Sequence, residues 1–471
     1  MAGYFNIGET KVRPGAYFNV QNAGDRISVT AVNGVVAVLF KATRGPLGVV
    51  QVIDASEGYE KTYGDGGTTI ALREATYGGA QTIIACRVGT GGTCASYQLT
   101  AATGKVEVSA KYPGTASYAV AVRNKLGDST KKEILLYIDS TEVEKFEFAA
   151  TGNEVAACLA VMANSQYFTA VGVKAGNDDA AGVITNVTTP TALTGGADPT
   201  VANAQYTAAL EQIEKYYFNT ICVDTEDTSV HALVAAFLNR IYQQGQFGIA
   251  VLTGDQSGTL ATRMSEAAAF NAWNVVYPIN ASAKIGDTTI SGYPVAAFIA
   301  GLIASTPANR SITHSVLSHY TELGEAMTNS QIEAAEQSGC VVLSTNSAGA
   351  VWCDNAITTL ITPDADHDAG WKKIRRVRTR FELMYRANTV ADQLVGKVDN
   401  DINGRATIIT NIQGICNDMI NEGKLQYANV TESTTIEATG DTCGFDIDVI
   451  DLDSAEHIYL TYYYRFSTVV A

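Results

Sequence analysis

Chemistry, if this chain performs any, would start from its carboxylates. Asp224-Thr225-Glu226-Asp227 and Thr253-Gly254-Asp255 each follow a short apolar run that reads as a strand. Carboxylates gathered at the carboxyl ends of strands can bind Mg²⁺. Asp364-Ala365-Asp366-His367-Asp368 could also ligate a metal, although an exposed acidic loop accounts for it without a ligand. No complete catalytic constellation accompanies these groups. Gly254-Asp255-Gln256-Ser257-Gly258 has the wrong spacing for a nucleophile elbow and reads as a turn before a helix. Gly104-Lys105, Gly396-Lys397 and Gly423-Lys424 lack the following Ser or Thr and the upstream glycine of a phosphate-binding loop. Gly64-Asp65-Gly66-Gly67 and Gly89-Thr90-Gly91-Gly92 read as plain loops. His314 and His319 are too far apart to share a helix face well, while His231 and His457 open a helix and a strand. The sequence thus gives no catalytic, cofactor-binding or metal residue, and no cofactor is expected.

Two features ask for a partner rather than a substrate. Lys372, Lys373, Arg375, Arg376, Arg378, Arg380 and Arg386 crowd into one predicted helix of an acidic protein, around an apolar stripe of Ile374, Val377, Phe381 and Met384. Cations near a helix N-terminus oppose its dipole, by roughly 0.3–1 kcal/mol each. They need an acidic partner, or else form a solvated or internally paired face. The second feature is the end of the chain. From Ile458 to Val470 the only charge is Arg465, and both faces of a strand here are apolar or aromatic: Ile458, Leu460, Tyr462, Tyr464 and Phe466 on one, Tyr459 and Tyr463 on the other. An uncovered edge of this kind would aggregate. It is buried in its own sheet or added to the sheet of another subunit.

Composition narrows the classes. The chain has 471 residues, enough for roughly three domains. A net charge of -16 argues against non-specific nucleic-acid binding, which needs a basic field. Charged residues are only 17% of the total, below the usual ~25%, as for a surface partly hidden against partners. The longest apolar runs, 34–40 and 295–304, fall short of the ~20 residues that span a bilayer. Met1 to Thr10 lacks a signal-peptide pattern, so a cytosolic, soluble protein without membrane insertion is expected. The eight cysteines are scattered without a C-x-x-C pair, mostly among apolar neighbours, and read as buried free thiols.

These residues must be carried by several units. Residues 1–25 read as an N-terminal arm. The stretch 26–96 supplies strands near Gly34–Phe40 and Gln81–Val88 and a helix near Ala71–Gly79. Between 97 and 190, short β-type runs alternate with turns such as Tyr112-Pro113-Gly114, with one helix at Glu154–Ala163 and an exit linker at Thr189–Thr200. Over 191–350, strands alternate with 10–15-residue helices, which implies a covered, mostly parallel sheet. The stretch 351–456 holds two helices, Trp371–Gln393 and Arg405–Glu422, and 457–471 is a terminal strand arm. The predicted fold class is α/β in a multidomain α+β chain: a helix-covered sheet, an inserted β-rich domain and a C-terminal α+β domain with strand arms at both ends.

Several segments, in order, resemble one family. Arg13-Pro14-Gly15-Ala16-Tyr17, then Gly34-Val35-Val36-Ala37 with Lys41-Ala42-Thr43-Arg44-Gly45-Pro46-Leu47-Gly48, resemble the opening of contractile phage tail sheath proteins, nearest to those of Gram-positive phages and phage-tail-like particles. Arg44 stands where the family usually has Trp. Lys111-Tyr112-Pro113-Gly114-Thr115 resembles the start of the family's inserted domain, with Ser117-Tyr118 in place of the usual Gly-Asn, and Leu193-Thr194-Gly195-Gly196 its exit. Ile299-Ala300-Gly301-Leu302-Ile303-Ala304 with Ser311-Ile312-Thr313, then Ile374-Arg375-Arg376-Val377-Arg378, Gly396-Lys397-Val398-Asp399-Asn400-Asp401 and Gly404-Arg405, complete the series. The resemblance implies a non-enzymatic subunit that forms hexameric rings, stacked helically around an inner tube in a metastable extended state. On a baseplate signal it contracts and drives the tube through a target envelope. Its partners would be further copies of itself, the inner tube, and baseplate and tail terminator proteins. It would assemble in the host cytoplasm and end in a virion tail or a released tail-like particle. Arms through Val12, Ala16, Tyr17, Phe18 and Val20 at one end, and Ile458, Leu460, Tyr462, Tyr464 and Phe466 at the other, would pair with neighbours. Lys372, Lys373, Arg375, Arg376, Arg380 and Arg405 are candidates to touch an acidic tube. A non-contractile shell or surface-layer protein, and a Mg²⁺-dependent α/β enzyme, are the alternatives.

Overall fold

The run Val35–Phe40 is buried at every position, a pattern that only a strand covered on both faces can have. In a computed structural model of the chain it lies inside a six-stranded sheet ordered Val275–Val276, Ile249–Val251, Thr220–Val223, Val35–Phe40, Thr82–Arg87 and Val50–Asp54. All neighbours pair in parallel except Val50–Asp54, which closes one edge antiparallel. The structure describes residues 33–174 and 180–465, together with two short strands nearer the start of the chain, Gly3–Tyr4 and Tyr17–Phe18, which pair in parallel. Val12, Ala16, Val20 and Phe466 lie outside the described residues.

The apolar helix Tyr293–Ser305 packs on Thr220–Val223 and Val35–Phe40, and the helix Asn203–Ile213 on Thr82–Arg87. Pro294 opens the first of these where its missing N–H costs no hydrogen bond. Its cluster continues through Trp273, Trp371, Ile374, Val377 and Phe381, so the basic helix is rooted in the main core.

Strands from Ser96 to Ala192 form two four-stranded sheets with the helix Glu154–Met162, around a core of their own that includes Leu99, Val106, Ile134, Leu136 and Phe168. The exit linker expected from Thr189 begins later. Val187–Ala192 is a strand at the edge of one sheet, and the register shift between Val187 and Thr191 accommodates Pro190, which cannot donate to a ladder. The body holds this unit at a few points. Arg87, fully buried, donates to Gly45 O at 2.7 Å and to Pro113 O at 2.9 Å. Arg44 pairs with Asp139 at 2.7 Å, a second bridge from the body to this unit.

The C-terminal part departs furthest from expectation. The helices Ile374–Leu394 and Ile402–Asn421 form as the periodicity predicts. They are followed by an unforeseen antiparallel hairpin, Leu425–Glu432 with Phe445–Asp451. The strand expected over 457–470 is not formed within its described part. Residues 452–465 have no regular structure, because no strand among the described residues lies beside them.

Candidate assembly interface

The helix Ile374–Leu394 has Lys373 at its N-cap, with no side-chain cap. One stripe, Ile374, Val377 and Phe381, enters the core, while Leu383 and Ala387 meet Ile412, Cys416 and Met419 of the second helix. Between these lie the cations, and the chain supplies their counterions. Arg376 binds Asp451 bidentately, at 2.9 and 2.7 Å, and Arg380 reaches the same carboxylate at 3.1 Å. Arg380 also pairs with Asp368 at 2.9 Å and lies 4.8 Å from the centroid of the Trp371 ring. Arg375 donates to Ser454 Oγ at 2.9 Å, and Lys373 Nζ contacts the Glu456 carboxylate. Arg386 pairs with Glu382 and Glu422, and Arg405 contacts Glu432 at 3.0 Å. Arg378 is buried, donating to Asn33 Oδ1 and to the carbonyls of Ala304 and Thr306, and burial lowers its pKa to about 10. Among the described residues, Lys372 is the member of the cluster with neither an ion pair nor a side-chain hydrogen bond, on the rim of a recess of about 430 Å³ that it shares with Glu336 and Asp354.

Burial alone would raise the Asp451 pKa, but hydrogen bonds from Arg376 and Arg380 bring it below the ordinary carboxylate range. Glu456 follows the same pattern, with Lys373, Thr313 and Ser311 outweighing its burial. The dipole conflict of a cation-loaded N-terminus is therefore relieved by the segment that leads to the end of the chain. Asp451 and Glu456 had not been singled out from sequence. The alternation in Phe445-Asp446-Ile447-Asp448-Val449 was the available signal for the strand that presents Asp451.

Beyond Glu456 the chain leaves the body. Ile458 is 72% exposed, Leu460 70%, Tyr462 70% and Tyr464 92%. Seven residues in a row, six of them large and apolar or aromatic, thus stand in solvent, which a folded monomer rarely tolerates.

The acidic strand ends have other work. Asp224 is buried, accepting from Tyr206 Oη at 2.6 Å and from the Lys41 main chain at 2.5 Å. Asp255 accepts from Ser257 in its own turn. His367 is held by Asp364 at 2.9 Å and stacks on Trp273. Among the described residues no group of three or more His, Cys, Asp or Glu side chains could hold a metal ion. Of the cysteines, Cys94 is exposed and Cys443 half-buried, while the other six are buried thiols; burial pushes Cys86 and Cys340 up to about 12.

Comparison with known proteins assigns this fold. The family model of the phage tail sheath protein central domain matches residues 200–359, the half of the main body that holds Thr220–Val223 and the helix Tyr293–Ser305. The uncharacterized protein YqbK of Bacillus subtilis is 25% identical over 97% of this chain and 98% of its own length. A crystal structure of the sheath tail protein of Desulfitobacterium hafniense superposes with a TM-score of 0.69 at 19% identity, covering 93% of this chain and all of the other. The helical sheath of the anti-feeding prophage, solved in its contracted state, superposes with a TM-score of 0.55 at 14% identity over 97% of this chain and 99% of the other. The chain thus matches the model of the phage tail sheath protein central domain over its middle and has the fold of solved sheath tail proteins along nearly its whole length.

Proposed function

We propose that this chain is the repeating subunit of a contractile sheath. It polymerises as hexameric rings stacked helically around an inner tube, is held in an extended metastable state, and contracts on a baseplate signal. The observation that carries this reading is the exposed run Ile458–Tyr464 leaving a body that is complete without it. The receiving surface proposed is the hairpin Leu425–Glu432/Phe445–Asp451, a two-stranded sheet with open edges among the described residues. An added strand of four or five hydrogen bonds contributes several kcal/mol at ~1 kcal/mol each. The N-terminal arm through Tyr17 and Phe18 is proposed to do the same for another neighbour.

The remaining assignments follow from this one. The β-rich unit 97–190 is placed on the outside, where it does not obstruct the tube. The tube is placed against the C-terminal helices. Lys372 is its proposed cationic contact, because Lys373, Arg375, Arg376, Arg380 and Arg405 are occupied by groups of their own chain. Further partners are baseplate and tail terminator proteins, the work is stored in the lattice, and the product is a virion tail or a tail-like particle.

A truncation after Glu456 tests the reading. Circular dichroism should show a folded monomer, and sedimentation should show that ring and tube formation is lost. Tubes from the truncated chain, or its outright unfolding, would place the terminal segment in its own subunit's core.

A further inference from the structure

The four residues before the free arm are held differently from the hairpin that precedes them. Leu452 N donates to Lys424 O at 3.1 Å, the last main-chain bond of the hairpin among the described residues. From 453 to 456 the tethers are side chains. Ser454 and Glu456 turn inward while Asp453 and Ala455 are exposed, the alternation of an extended segment laid on a surface. Arg375 donates to Ser454 Oγ at 2.9 Å. The Glu456 carboxylate contacts Lys373 Nζ and accepts from Thr313 Oγ1 at 2.9 Å and Ser311 Oγ at 3.2 Å. From His457 to Arg465 every residue is exposed.

The contacts have a direction. As the chain advances from Asp451 to Glu456, its partners step back along the helix from Arg380 and Arg376 to Arg375 and then Lys373. The segment therefore runs antiparallel to the helix and is fastened at its far end. The hairpin behind it is secured by seven paired positions, so the fastening can open while the hairpin stays intact. Opening moves the root of the arm from 457 to 453. Four extended residues at ~3.3 Å each add about 13 Å of reach.

We propose that residues 453–456 are a strap holding reserve length for the terminal arm, closed by Glu456 on Lys373, Ser311 and Thr313, and drawn out when linked subunits change their spacing. The inference rests on the assembly reading above. An arm paired at its tip to another copy and fixed at its root passes any change in spacing to the paired strand. A strap that yields first spares that pairing. The other charged and titratable groups of the recess around the clasp are Lys372, Glu336, Asp354, His314 and His457. The clasp carboxylate therefore faces a mixed field in which Lys373 makes the direct ion pair.

Electron–electron distances between spin labels on the unassembled chain test the strap. The labels go on His457→Cys and Ser330→Cys, with Cys94 and Cys443 changed to Ser. Without further change the distribution should be narrow. Glu456→Gln and Lys373→Met should each broaden it, with populations displaced by up to about 13 Å. The reversed pair Lys373→Glu with Glu456→Lys should narrow it again. A broad distribution in the parent chain, or one unmoved by Glu456→Gln, overturns the strap. Because the measurement is made on monomers, failure of the chain to polymerise at all would count against the assembly reading alone.

Discussion

Gly78 and Gly301 face each other where the helix Tyr293–Ser305 crosses the end of Ile70–Tyr77, so closely that a Cβ on Gly301 would stand 3.0 Å from Gly78 Cα and 2.2 Å from Ala75 O. Neither neighbour can move aside, because both are backbone. Gly301→Ala should therefore lower stability by about 1–3 kcal/mol through overpacking. Thermal unfolding checks this, and the half-buried Gly414→Ala, where a Cβ meets nothing within 4 Å, is the control that should not destabilise.

Arg87 is the second point where one residue fixes a large arrangement. Its guanidinium, buried between the sheet and the β-rich unit, satisfies two carbonyls. Arg87→Met strands both, at about 1–3 kcal/mol for each unsatisfied group. The expected outcome is a lowered Tm, together with new proteolytic cleavage near Pro113 and Gly195, where the β-rich unit meets the body.

Stability should depend on acid through Asp451. Its pKa is depressed in the fold, so its contribution is present above the ordinary carboxylate value near ~4 and fades as pH falls through the lower folded value. Asp451→Asn should cost about 1.5–3 kcal/mol at neutral pH. Its melting curve should begin to approach that of the parent chain below about pH 4 and meet it only once the pH has fallen through the lower folded value.

Much of this was legible in the sequence, and the reason differs by region. Val35–Phe40 and the helix Tyr293–Ser305 declare themselves because uninterrupted apolar runs admit few environments. The hairpin Leu425–Glu432/Phe445–Asp451 was missed because half of each strand is solvated, and its acids resemble a loop. The basic helix was legible as a helix but not as a clasp. Charge in sequence does not say which distant carboxylate will answer it, and Asp451 lies 75 positions from Arg376. The terminal segment shows the opposite case: its composition called for a strand, but a strand needs a neighbour, and among the described residues none lies beside 457–465.

Within the cation cluster, Lys372 and Arg376 should separate two roles. Lys372→Glu should change stability by no more than about 0.5 kcal/mol, as for a surface position. Arg376→Glu sets a second carboxylate against Asp451 and should cost about 3–5 kcal/mol. If Lys372 touches an acidic tube, Lys372→Glu should also weaken co-sedimentation with the tube protein and make it less sensitive to salt.

The central claim is that this chain builds a sheath that shortens. Electron microscopy of the full chain, assembled with the tube protein of the same particle and then triggered, tests it most directly. The account predicts sixfold tubes of stacked rings in a long and a short form, with strand density joining neighbouring subunits at the Leu425–Asp451 hairpin. Discrete globular particles, with a metal-dependent turnover abolished by Asp224→Asn, would contradict it.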